Sequence, residues 1–537
     1  MVLNYSTEGV RRRAGDQEAQ LLHRAKEFLQ QKQYKEALDC CRRVLEQNSE
    51  SAEGYFLMGI IACENHDYRN ALGLFEGAVR KGYPGAGPFV QAARSLVGLN
   101  QPAQALKCLE QAKKRNPRDG YTLALIGSTL SKLDRHEEAV AFHRKATQAS
   151  PGDALSFFNL GSSLQFLGDF ENAREAYRTA LKLNPGFTAA QMHLTQITKQ
   201  TPERNDLAVL QKAWAERDPR DAEGGLVLAH AIAKVHEDLG DPESVMLWLD
   251  RGKALVRPQL PDRQMEDQFI YKAAGALAGA LRVEGATPAV GPVFIVGLPR
   301  SGTTLVDRVL SSHSQIVSAG ERHEFGACLH RAAGVSAGHT YDAEVISRAA
   351  NTDLTAVGQA YLKSVRAILE SDQRFTDKMP VNAFFVPAIL AALPSSRVIC
   401  LRRQAPDSVL SIYKQHFSAS ASLYSYAYDL ERLARYVADF HDLADTYEQK
   451  LPGTRFRIVN YERLVGSPDS EIRDILAFAG LGFEAACLDF HKNESPVATA
   501  SVSQVRQPIY TSAIGRWTQY KAALQPALAV LRDRGRL

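Results

Sequence analysis

The sequence predicts two architectures in one chain: an α solenoid over the first half, and an α/β domain with a parallel sheet over the second. Two observations carry this. From about residue 20 to 187, small residues recur with a fixed step of 34, as in stacked helical hairpins. After residue 291, short apolar runs alternate with amphipathic stretches, as in strands joined through helices. The bulk numbers suit both halves. The chain has 537 residues, 45% hydrophobic and 23% charged, enough for two or three domains with cores of their own. Its 64 basic and 60 acidic side chains nearly balance, leaving a net charge of +4. The chain as a whole therefore does not read as a nucleic-acid binder.

Residues 1–20 are read as an N-terminal tail. The lattice follows. Ala37, Ala71, Ala105, Ala139 and Ala173 form one series, and Val44, Ala78, Ala112, Ala146 and Ala180 a second. Ala25, Gly59, Ala93, Gly127 and Gly161 form a third, and Pro117, Pro151 and Pro185 keep the same step. Small residues at fixed places let paired helices approach, and the proline closes each unit after its second helix. The pattern resembles the tetratricopeptide repeat, in five units over 21–187. That resemblance implies a concave surface for a peptide or protein. A structural or dimerising extension is the competing reading, so a homodimer stays open. Residues 188–260 are expected to add irregular helices and one more hairpin, turning at Leu239-Gly240-Asp241. Residues 261–291 are expected to form a linker helix and loop.

There are seven cysteines and no C-x-x-C pair, so free thiols in a reducing compartment are expected. The first twenty residues hold no apolar leader core, and no apolar run is long enough to span a bilayer. A cytoplasmic protein without a membrane span is the expectation. No His/Cys/Asp spacing suggests a metal site.

Residues 292–537 are expected to form the α/β domain. Strands are expected in "VFIVGL" (293–298), "SRVICLRR" (396–403) and "TRFRIVNYERL" (454–464), with helices at 354–370 and 425–450. In such sheets ligands bind beyond the carboxyl ends of the strands. The first strand runs into "GLPRSGTT" (297–304), which has the form of a phosphate-binding loop. Backbone N–H groups at a helix start hold an anion without a lysine. Gly297 and Gly302 permit the turn, Thr303 and Thr304 add hydroxyls, and Arg300 supplies charge. Thr303 stands where a nucleotide-triphosphatase loop would place its lysine, which counts against a P-loop kinase.

"GLPRSGTTL" resembles the 5'-phosphosulfate loop of sulfotransferases. The resemblance covers about 290–520 and implies 3'-phosphoadenosine 5'-phosphosulfate as donor, with no metal. It implies that Pro299, Arg300, Ser301, Gly302, Thr303 and Thr304 surround the 5' group. It implies Arg403 and Ser411, eight residues apart, for the 3'-phosphate. Pro406 is displaced by one from the usual pattern, and Arg402 is the substitute. Tyr461 in "YERL" is implied near the adenine. Ser501, Arg506 and Arg516 are implied in a segment closing over the nucleotide, with Arg516 in place of a lysine. Glu321, 21 residues after Arg300, is implied as the base, with Glu324 and His323 as rivals. Arg300, Lys378 and Ser501 are implied at the leaving phosphate. The pattern looks closest to bacterial sulfotransferases with tetratricopeptide repeats and, more distantly, tyrosylprotein sulfotransferases. The expected reaction is sulfuryl transfer to a hydroxyl of a protein tyrosine, another peptide or protein, or a sugar or small molecule. A repeat scaffold with an inactive or nucleotide-sensing domain stays open as the alternative.

Overall fold

The computed structural model describes residues 7–285, 287, 290–335, 341–369, 372–418, 422–493 and 502–537. Two compact units divide the chain, Met1–Ser163 and Leu164–Leu537. The division falls inside the helix Ala154–Leu167.

In the first unit helices pair in sequence order. Thr7–Gln30 packs on Tyr34–Gln47, Ala52–Glu64 on Tyr68–Arg80, Gly87–Gly98 on Pro102–Lys114, and Gly120–Lys132 on His136–Ala149. The leading helix starts at Thr7, inside the stretch read from the sequence as a tail. Small residues of the lattice sit where the helices touch. Ala37, Ala71, Ala105 and Ala139, and likewise Val44, Ala78, Ala112 and Ala146, are 0% exposed. At two places even alanine is too large. A Cβ at Gly59 would lie 2.4 Å from the Phe75 ring, and one at Gly127 would lie 2.6 Å from the His143 ring. Ser51, Asp67 and Asp119 cap helix starts by accepting from backbone N–H groups.

A further 34-residue series appears only in the backbone. Lys32, His66, Asn100 and Asp134 have φ of 57°, 61°, 54° and 61°, each at the turn between paired helices. The left-handed turn is demanded by the hairpin, and its side chains differ too much to reveal it in the sequence.

The second unit opens with helices and closes on a sheet. Ala222–Asp238 is buried without a break from Gly224 to Ala233. A helix apolar on all sides belongs inside a core. Pro242–Val256 pairs with it, and Gln264–Ala280 packs against Leu430–Lys450. Met192, Leu210, Ile232, Leu249 and Ile270 share one hydrophobic cluster with Phe294 and Val398 of the sheet. The segment read as a linker helix is thus a core element, because its buried face carries Ile270, Tyr271, Ala274 and Leu277.

The sheet has five parallel strands: β1 (Val293–Gly297), β2 (Ile316–Ser318), β3 (Arg374–Lys378), β4 (Arg397–Arg402) and β5 (Phe456–Asn460). Their order is β2-β3-β1-β4-β5. Alternate residues face opposite layers. Val293, Ile295, Ile399 and Leu401 meet the helices Thr303–Ser311 and Pro468–Ala479. Phe294, Val296, Val398 and Cys400 meet the other layer, with Leu354–Leu369 and Leu430–Lys450.

Two strands were not expected. β2 is three residues long. β3 reads Arg-Phe-Thr-Asp-Lys, too polar for a central strand, yet Thr376, Asp377 and Lys378 are 0%, 0% and 2% exposed. Each of these three side chains makes a hydrogen bond. The Tyr361 hydroxyl donates to Asp377 at 2.6 Å, the Thr376 hydroxyl donates to Asp307, and Lys378 donates to Glu321.

Lys32→Gly should stabilise the first repeat. It removes a left-handed strain of roughly 1–2 kcal/mol at the cost of a more flexible unfolded chain, for a net gain of about 0.5–1 kcal/mol. Urea denaturation checks it, and a loss of stability would contradict the turn described.

Candidate active site

At the end of β1 the chain turns sharply into the helix Thr303–Ser311. Gly297, Arg300 and Gly302 take φ of 154°, 66° and 103°. The Ser301 hydroxyl donates to the Leu298 carbonyl at 2.7 Å and closes the turn. Thr303 and Thr304 open the helix, 4% and 7% exposed, while Pro299 and Arg300 are half-buried. A Cβ on Gly302 would lie 2.7 Å from the Tyr461 ring. The helix start and its dipole therefore face the loop, the usual setting for an anion.

The neighbouring strands bring up a second group. The Ala319 N–H donates to the Thr376 carbonyl at 2.8 Å, and the Lys378 N–H donates to the Gly320 carbonyl at 3.0 Å. These bonds extend the β2–β3 pairing and carry the next residue, Glu321, alongside the end of β3. There the Lys378 ammonium donates to the Glu321 carboxylate. Lys378 is almost sealed from water, whereas the Glu321 side chain is 42% exposed. Asp307, on the loop helix, accepts from the hydroxyls of Thr376 and, at 2.8 Å, Ser318. Burial pushes its carboxyl above the usual carboxylate range, and nearby Lys378 draws it back.

Of the three acidic or basic candidates around 321–324, Glu321 is the one on Lys378. The His323 ring pairs with the Tyr341 hydroxyl at 2.8 Å. Glu324 is 4% exposed, with an oxygen 4.0 Å from Arg322.

Alternation along β4 separates the two arginines. Arg402 turns to Asp445 at 2.8 Å and Asn460 at 3.2 Å. Arg403 turns to the loop. Its guanidinium donates to the Arg300 carbonyl at 3.3 Å and the Ala513 carbonyl at 2.6 Å, and lies 4.7 Å from the centre of the Tyr461 ring. Arg300, Gly302, Arg403 and Tyr461 thus form one contiguous group. Burial and Arg403 push the Arg300 guanidinium below its ordinary value, while Tyr510, Tyr461 and Glu237 favour its charge. Ser411 is half-buried, farther along the helix Ala405–Tyr413.

The C-terminal segment docks on the start of that helix. Asp407 accepts from the Gly515 N–H at 2.7 Å and the Trp517 N–H at 3.0 Å. Arg516, held between them, reaches Glu237 at 2.6 Å. Arg300 donates to Gln504 at 2.8 Å. Arg506 sits beside the loop helix Thr303–Ser311. Its guanidinium packs on Gly168, where a Cβ would come within 2.3 Å. Burial and then Arg506 lower Arg308 to about 10. Ser501 falls outside the described residues.

Several members of the site escaped the sequence reading. Asp307 follows Thr303 by four residues, so the helical repeat placed it on the same face. Glu237, Lys414 and Gln504 carried no comparable signal, because the chain brings them in from remote positions.

Residues 292–485 match the model of the sulfotransferase family, and residues 22–87, 90–154 and 154–187 match tetratricopeptide repeat models. Residues 292–485 thus form a sulfotransferase-family region, and the helical pairs before it are tetratricopeptide repeats. An uncharacterized protein of Aquifex aeolicus (strain VF5) is 32% identical over 250 residues, 46% of this chain and 33% of that protein's length. A putative protein-tyrosine sulfotransferase of Caenorhabditis briggsae is 24% identical over 233 residues, 42% of this chain and 80% of its own length. Among solved structures, the sulfotransferase domain from the Synechococcus PCC 7002 olefin synthase is 17% identical with a TM-score of 0.31. It covers 46% of this chain and 98% of that domain.

Gly302→Ala should destabilise the domain by roughly 1–3 kcal/mol, since the left-handed turn and the Tyr461 ring both exclude a side chain. Thermal unfolding measures this. A variant as stable as wild type would mean that the loop relaxes freely.

Proposed function

We propose that the 292–537 domain transfers a sulfuryl group from 3'-phosphoadenosine 5'-phosphosulfate to a hydroxyl acceptor. The observation that carries this reading is the contact between Lys378 and Glu321 beside the Arg300 loop. A base for the acceptor hydroxyl and a cation for the leaving phosphate are the two groups this transfer needs side by side.

Glu321 takes the proton of the acceptor hydroxyl as its oxygen bonds to sulfur. The bond from sulfur to the 5'-phosphate oxygen breaks, and adenosine 3',5'-bisphosphate leaves. Lys378 has three N–H donors. One lies on Glu321, and the others stabilise the charge that builds on the leaving oxygen. Arg300 and the start of the Thr303–Ser311 helix hold the 5'-phosphate. Ser501 is proposed as a further contact there. Arg403, Ser411 and Arg516 hold the 3'-phosphate, and Tyr461 lies against the base. Arg506, near Arg308 of the loop helix, is proposed as a further cation on the donor side.

For the acceptor we infer a tyrosine hydroxyl in a peptide or protein. The Caenorhabditis briggsae relative is named for that activity. In this reading the repeat array docks the polypeptide that carries the tyrosine.

Glu321→Gln and Lys378→Ala test the assignment with this donor, a tyrosine peptide and mass spectrometry of the product. Glu321→Gln should lower turnover by roughly 10²–10⁴-fold while donor affinity persists. Lys378→Ala should also lose turnover, and a donor with a better leaving group should partly restore it. Turnover of Glu321→Gln within about threefold of wild type, far short of that loss, would place the base elsewhere.

A further inference from the structure

A carboxylate sits where the donor reading puts a phosphate. Lys414 follows the helix Ala405–Tyr413, three residues after Ser411 and on the same face. Its ammonium pairs with the Glu237 carboxylate, and Arg516 contacts the same Glu237 oxygen at 2.6 Å. One oxygen from the helix Ala222–Asp238 thus holds cations from two separate segments of the domain. Glu237 and Lys414 are each 18% exposed, so these are partly desolvated pairs. Arg300 and Arg403 are neighbours in the same charge cluster. Lys414 and Arg516 contact the carboxylate and Arg300 lies within reach of its charge, more positive charge than Glu237 balances. A phosphate monoester, with two negative charges and three oxygens, suits that surplus. The helix bearing Glu237 is already anchored by its apolar residues, from Leu226 to Val235. Glu237 is therefore free to give up its cations without unseating the helix.

We propose that Glu237 is an internal stand-in for the donor's 3'-phosphate: it holds Lys414 and Arg516 in the free protein and yields them when the nucleotide binds. This rests on the donor reading above and adds two residues to it, Lys414 as a phosphate-binding cation and Glu237 as its competitor. Because Glu237 lies on a helix of the 188–260 region, donor binding changes a contact between that region and the catalytic segment.

The test is calorimetry at low salt with adenosine 3',5'-bisphosphate and adenosine 5'-phosphate. Glu237→Gln should bind the bisphosphate about tenfold tighter, since a competing negative charge is gone. Its gain for the monophosphate should be distinctly smaller. Lys414→Met should weaken the bisphosphate by about tenfold and the monophosphate little. If Glu237 served only to hold the two cations in place, Glu237→Gln would weaken the bisphosphate instead, and the proposal would fall. Equal affinities in wild type and variant would overturn it as well. If Glu237→Gln lost its fold, Lys414→Met would decide, and an unchanged bisphosphate affinity there would overturn the proposal. If the wild type bound neither nucleotide, the donor reading itself would fail and take this inference with it.

Discussion

Lys378 carries a charge in a place nearly closed to water, and such a charge needs a partner. Glu321 is that partner, and much of the domain's local architecture follows from holding the two together. The parallel register of β1 and β3 places Lys378 level with Ile295, at the end of the sheet where the phosphate-type loop begins. The short β2 places Glu321 against it through two backbone bonds. Asp307 ties the loop helix to β2 and β3 through Ser318 and Thr376. Glu321, Lys378 and the loop after β1 are therefore three ends of one hydrogen-bonded edge. A change that loosens β2 reaches Glu321 before it reaches the core.

The cationic side is assembled on a different principle. Strand alternation sends Arg402 to Asp445 and Arg403 to the loop, so adjacent arginines do unrelated work. Asp407 fixes the C-terminal segment by accepting two of its N–H groups, which sets Arg516 beside the same helix. The helix Ala222–Asp238 adds Glu237 from the other end of the unit's sequence. Its burial, and that of Gln264–Ala280, joins the irregular helices to the transferase core. Sulfotransferase-type residues and the helices before them form one compact unit rather than two modules on a linker.

The repeat array was readable because packing forces small residues onto a fixed step, and that step survives in the residue types. Its left-handed turns were not readable, since Lys32, His66, Asn100 and Asp134 share a backbone angle and no chemistry. The loop after β1 was readable from Gly297 and Gly302, whose positive φ angles leave little choice of residue. β3 was hidden because its polar residues look like a surface loop until their partners are known. Those partners, Tyr361, Asp307 and Glu321, lie 16, 69 and 57 residues away. Glu237 was hidden more completely, being 177 residues from Lys414. Local pattern thus disclosed the elements that make their own bonds, and missed those completed by distant chain.

The central claim is that this loop serves a sulfated nucleotide rather than a nucleotide triphosphate. Competition between adenosine 3',5'-bisphosphate and ATP with Mg²⁺, followed by calorimetry on the full chain, addresses it directly. The expected result is tight binding of the bisphosphate that ATP with Mg²⁺ does not displace at equal concentration. Preferred binding of ATP with Mg²⁺ would contradict the account.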